Sequence, residues 1–153
     1  MDLILWRHAE AVDSGDQRVD LERPLTSRGE RQAARMAAWL NQQLPATTRV
    51  LVSPARRTQQ TALALERKFR TLPALAPDAS VTAVLEAARW PTAREPVLVI
   101  GHQPTLGLVA AQLLTGAPHA LAVKKGAVWW LRSREREGEG QVVLVAALTP
   151  EQV

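Results

Sequence analysis

The 153-residue chain has no cysteine and no tyrosine, a single phenylalanine, and no apolar run longer than a β-strand needs. Without cysteine, thiol nucleophiles, disulfides and thiolate-bound metals are excluded, and the composition fits a reducing compartment. The short apolar runs, the first preceded by Asp2, leave no visible signal peptide or membrane span, so a cytoplasmic protein without membrane contact is expected. There is no internal repeat and no linker long enough to separate a second domain. Residues 1–153 are therefore expected to form one domain, and a chain of this size buries well over half of its unfolded surface.

Lysine is also scarce. Only 3 of the 19 basic residues are lysine, and the net charge of +4 points to anionic partners. Nucleic acid is disfavoured among these. The basic residues are interspersed with acids, as in Arg132-Ser133-Arg134-Glu135-Arg136-Glu137, and most aromatics are Trp inside apolar runs rather than interleaved with Lys or Arg.

What the chain does have is a series of apolar runs that stop at residues able to do chemistry. Leu3-Ile4-Leu5-Trp6 shows no polar alternation, the pattern of a strand covered on both faces, and it ends in Arg7-His8. Arg49-Val50-Leu51-Val52 runs into Ser53-Pro54, read as an N-cap and a first helical position. Arg56 and Arg57 follow in the first turn, where two cations oppose the helix dipole unless an anion sits there. Pro96-Val97-Leu98-Val99-Ile100 ends in Gly101-His102.

Helices fill the intervals. A polar loop from Val12 to Pro24, containing Gly15, precedes Ser27-Arg28-Gly29-Glu30, whose capping-box spacing opens a helix with Ala33, Met36, Ala37, Leu40 and Leu44 on its inner face and Trp39 packing beside them. The second helix turns Ala55, Thr58, Ala62, Leu65 and Phe69 inward. Asp78 or Ser80 caps a third, over Val81, Val84, Leu85 and Ala88, and Pro104 starts a fourth that Gly116 stops. Ala127–Leu131 and Val142–Leu148, joined by a charged segment containing glycine, predict an antiparallel hairpin at the sheet edge, with Trp129 and Trp130 on opposite faces. The fold class expected is α/β: a three-layer α/β/α sandwich with a mostly parallel central sheet and an antiparallel edge.

A parallel α/β sheet gathers its carboxyl strand ends at one edge, where ligands bind. Arg7-His8, Ser53 with Arg56-Arg57, and His102 would meet there. Two imidazoles among guanidiniums, without cysteine or a His-x-His pair, suit a phosphate better than zinc, and too few acids stand at strand ends to complete a hard-metal site.

These residues resemble the histidine phosphatase superfamily, with its phosphoglycerate-mutase-like fold, and within it the small SixA-type phosphohistidine phosphatases. Arg7-His8-Ala9 looks like the Arg-His-Gly signature, with Ala9 in place of the glycine. Leu25-Thr26 through Gly29 and Gln32-Ala33 resembles the Leu-Thr-x-x-Gly-x-x-Gln-Ala helix start. Ser53-Pro54-Ala55-Arg56-Arg57-Thr58, followed by Gln60-Thr61-Ala62, resembles the Ser-Pro-x-x-Arg segment, and Gly101-His102 matches the second histidine. Arg23-Pro24-Leu25-Thr26 is similar to the entry segment of the SixA branch.

The resemblance implies covalent catalysis without cofactor or metal. His8 would attack phosphorus, with Arg7, Arg57 and His102 on the phosphoryl oxygens and Arg23 and Glu10 in substrate binding. It leaves the general acid open, with Glu86, Asp78 and Glu10 as candidates. The implied substrate is phosphohistidine on another protein, such as a histidine phosphotransfer domain, since the chain has no large lid to enclose a small metabolite. The alternatives are a broad small-molecule phosphomonoesterase or phosphoanhydride hydrolase, and an inactive phosphate-binding module.

Overall fold

The computed structural model describes residues 1–13 and 19–153, so some of the predicted loop, Gly15 included, lies outside the described residues. Six strands form one sheet: β1 (Asp2–Arg7), β2 (Arg49–Val52), β3 (Arg70–Thr71), β4 (Val97–Gly101), β5 (Val128–Arg136) and β6 (Glu139–Leu148), in the order β3-β2-β4-β1-β5-β6. β3, β2, β4 and β1 run parallel, whereas β5 and β6 are antiparallel and close one edge. The mixed sheet and hairpin edge are those expected from the sequence.

Side-chain alternation along β1 divides the core in two. Leu3 and Leu5 face one side with Val84, Ala88, Val109 and Ala110, contributed by α3 (Val81–Ala88) and α4 (Thr105–Thr115). Ile4 and Trp6 face the other with Met36, Ala37, Leu40 and Ala62, contributed by α1 (Ser27–Gln43) and α2 (Arg56–Leu63). All four β1 residues are fully buried, and each such side chain stabilises the fold by about 1.5–3 kcal/mol through its removal from water. This is why an unalternating apolar run marks a central strand. Trp130 is buried on the α1 side, where Trp39 meets it edge-to-face at 6.3 Å, while Trp129 packs on the opposite side. Among the described residues no helix is long and apolar enough to cross a membrane.

The structure corrects several local expectations. The N-cap of α1 is Thr26, not Ser27: its hydroxyl accepts from Gly29 N–H at 2.9 Å and donates to the Glu10 carboxylate at 2.7 Å. That close approach needs Gly29, because a Cβ there would collide with the Glu10 carbonyl. Ser53 does not cap α2. The helix begins at Arg56 behind Ala55, and Ser53 is drawn away to His102. The cap of α3 is Ser80 rather than Asp78. The charged segment of the hairpin is itself strand, reversed by Glu137 and Gly138 with φ of 55° and 81°, the paired positive values of a tight type I′ turn.

Candidate active site

Strand register brings the two histidines together. Arg7 pairs with Gly101 across β1 and β4, and Val52 with Ile100 across β2 and β4, so the residues that follow, His8, Ser53 and His102, emerge side by side at the carboxyl edge. The imidazoles of His8 and His102 lie 5.4 Å apart between ring centroids, tilted by 54°. Both are buried, with 6% and 4% of their surface exposed.

Hydrogen bonds give the two rings different protons. His8 Nδ1 is 2.7 Å from the Ala9 carbonyl, an acceptor only, so Nδ1 carries the hydrogen and Nε2 keeps its lone pair. His102 Nε2 is 2.7 Å from Ser53 Oγ. That oxygen accepts from Ala55 N–H, and among the described residues the only acceptor within reach of its own proton is His102 Nε2. The hydroxyl therefore donates to the ring and leaves Nδ1–H of His102 as a buried donor without a partner among the described residues. Arg7 Nε and Arg57 Nε are likewise buried without partners among the described residues. The other arms of these guanidiniums are tied down: Arg7 Nη1 donates to the Val123 carbonyl at 2.9 Å, and Arg57 Nη1 to the Asp20 carbonyl at 2.9 Å.

Burial, the nearby guanidiniums and the facing imidazole set the charges. The His8 pKa is pushed down to about 3, by burial first, with His102, Arg57 and Arg7 adding to it and the Ala9 carbonyl opposing. His102 is likewise pushed down to about 3, by burial and then by Arg57. Both imidazoles are therefore neutral at pH 7. Asp20 bridges Arg57 (3.2 Å) and Arg23 (3.0 Å). Partial burial pushes its carboxyl up, but the two guanidiniums outweigh this and hold it below its ordinary value.

Residues 3–80 match the family model of the histidine phosphatase superfamily, branch 1. The chain belongs to this superfamily. It is of the SixA type: it is 35% identical over 124 residues to the phosphohistidine phosphatase SixA of Escherichia coli, covering 76% of each chain. It is 36% identical over 141 residues to an uncharacterised protein of Picosynechococcus, covering 87% of this chain and 86% of that one. The structure of the protein histidine phosphatase SixA complexed with tungstate superposes with a TM-score of 0.76 at 27% identity, over 98% of this chain and 97% of that one.

Within this histidine phosphatase the structure brings together His8, Arg7, Arg57 and His102, and joins Arg23 to Arg57 through Asp20. Glu10 borders them, but its carboxylate is engaged by Thr26. The acid candidates Glu86 and Asp78 are not joined to the site: both are exposed, and neither side chain hydrogen-bonds to a site residue among the described residues. Ala9 departs from the signature glycine at no conformational cost, since it is not among the residues with positive φ. Sequence reasoning misses Asp20, whose role exists only once its loop folds over Arg57, and reads Ser53 as a cap instead of the partner of His102. It also misses Thr61, whose hydroxyl accepts from Ala9 N–H at 3.1 Å. The Gln60-Thr61 pair of the motif is the available signal.

Proposed function

We propose that this SixA-type phosphatase hydrolyses phosphohistidine on protein substrates, with His8 as nucleophile. The observation that carries the proposal is the fixed His8 tautomer, an uncharged ring with its Nε2 lone pair free, beside three buried N–H donors on Arg7, Arg57 and His102 that have no partner among the described residues. His8 Nε2 forms a bond to phosphorus as the P–N bond of the substrate breaks. The substrate imidazole, protonated on its second nitrogen, leaves as a neutral ring. Charge that spreads over the phosphoryl oxygens is met by donors already in place. Because Nδ1 keeps its hydrogen on the Ala9 carbonyl, the intermediate is a phosphoimidazolium. Water then attacks phosphorus, the His8 ring departs neutral, and the water's protons leave with phosphate.

The acids favour a nitrogen leaving group over an alkoxide. Asp20 is held ionised by Arg57 and Arg23 and has no proton to give, Glu10 is tied to Thr26, and Glu86 and Asp78 are exposed, without a hydrogen bond to a site residue among the described residues. A neutral imidazole leaves without such help, whereas an alkoxide needs it. The test compares kcat/KM for a phosphorylated histidine phosphotransfer domain with that for sugar phosphates and short polyphosphate. Preference for the phosphoprotein is expected, and preference for the small esters or anhydrides would overturn the assignment.

A further inference from the structure

An open groove of about 630 Å³ adjoins the site at Arg7. Its charged lining is Arg7, Arg28, Lys124 and Lys125 against Glu10 and Glu151. Both carboxylates are engaged, Glu10 by the Thr26 hydroxyl and Glu151 by its own turn and the field of Arg28 and Arg35. Lys124 and Lys125 are exposed, and among the described residues neither forms an ion pair.

These lysines do not stand on a loose loop. The turn that carries them is bonded to the end of β1 from both sides: Arg7 Nη1 donates to the Val123 carbonyl (2.9 Å), Gly126 N–H to the His8 carbonyl (3.0 Å), Arg7 N–H to the Ala127 carbonyl (3.1 Å) and Trp6 Nε1 to the Gly126 carbonyl (3.1 Å). Gly126 turns the chain with φ of 75°. Two of the three lysines of the chain are thus held at a fixed offset from the His8 backbone, on a surface that the chemistry at phosphorus does not use. Clustered cations beside an open groove create a positive potential that draws in anionic partners, and a groove this open does not enclose a small molecule.

We infer that Lys124 and Lys125, with Arg28, form a docking surface for acidic side chains flanking the phosphohistidine of a protein substrate. The inference rests on the proposed phosphohistidine activity and adds the selection of the partner. Rim cations of this kind act mainly on encounter and partner choice, so their loss shows in KM for the macromolecule and not in the chemical step.

The test uses the full chain carrying Lys124→Glu and Lys125→Glu together, against a phosphorylated histidine phosphotransfer domain with acidic residues around its histidine and against free N-phosphohistidine. The expected result is a fall of about 10- to 100-fold in kcat/KM for the phosphoprotein, carried by KM, with free N-phosphohistidine hydrolysed as by the wild type. Neutralising the acids around the histidine of the phosphoprotein should remove most of that difference. An equal loss on both substrates would show that the turn only positions the site, and no loss on either would show an idle surface; each overturns the docking role. Failure of the wild type on both substrates would instead overturn the activity itself.

Discussion

The carboxyl ends of β1 and β4 present the same residue in nearly the same surroundings. His8 and His102 are neighbours in register, both buried and both depressed in pKa to about 3, yet one ring is anchored through Nδ1 to a carbonyl and the other through Nε2 to a hydroxyl. A carbonyl can only accept, so it fixes His8 with a free lone pair. The Ser53 hydroxyl has no other acceptor for its proton among the described residues, so it donates to Nε2 and leaves His102 with its hydrogen on Nδ1. Burial makes both rings neutral, and the hydrogen-bond partner alone decides which can attack and which can stabilise.

The difference predicts unequal costs. His8→Ala should lower kcat by roughly 10⁵-fold, as loss of a covalent nucleophile does, whereas His102→Ala should cost about 10²- to 10³-fold, as loss of one charge-stabilising donor does. Equal losses, measured as kcat on the phosphoprotein, would erase the distinction.

In acid the two ends should behave alike. Folded, both rings titrate near 3; unfolded, near 6.5, so between these values the unfolded chain binds more protons and stability falls as pH falls. The slope is up to roughly 1.4 kcal/mol per pH unit for each ring, and neither ring contributes a pH dependence above about pH 7. Urea unfolding at pH 7 and pH 5 should show His8→Gln and His102→Gln each relieving about half of the loss the pair causes. Relief by only one variant would mean that the other ring is not buried neutral.

Ser53→Ala sharpens the comparison, since it touches the β4 end only. Removing the hydroxyl frees the His102 tautomer and should cost about tenfold in kcat while the phosphoryl adduct on His8 still forms. The smallest effect concerns Asp20, which is half-exposed and competes for the guanidiniums. Asp20→Asn should tighten tungstate or phosphate binding about two- to fivefold by calorimetry, the scale of a partly exposed ion pair. Weaker binding would instead make Asp20 a support for Arg57.

Most of the sheet, and the meeting of the four principal candidates in one place, were legible because burial on both faces leaves an unbroken apolar run, and its end marks the carboxyl edge. What escaped has physical causes. Strand β3 has two residues and no pattern to read. The second helix is shorter than its apolar spacing suggests: the Thr58 and Thr61 hydroxyls bond back to carbonyls of the preceding turn and the helix stops at Leu63, so Leu65 is buried from beyond its end. Ser27 and Glu30 have the spacing of a capping box, which sets the helix start one residue late, because the Thr26 hydroxyl serves both Gly29 and Glu10. Asp20 stays hidden in the sequence because its importance comes from a long-range contact with Arg57 that no local spacing announces.

Everything turns on His8 as the phosphoryl acceptor. Rapid quenching of the wild type with a ³²P-labelled phosphohistidine domain, followed by peptide mapping, should find an acid-labile, alkali-stable phosphoryl group on the peptide bearing His8, and none in His8→Ala. Label on His102 instead, or turnover with no enzyme-bound label at any time point, would contradict it.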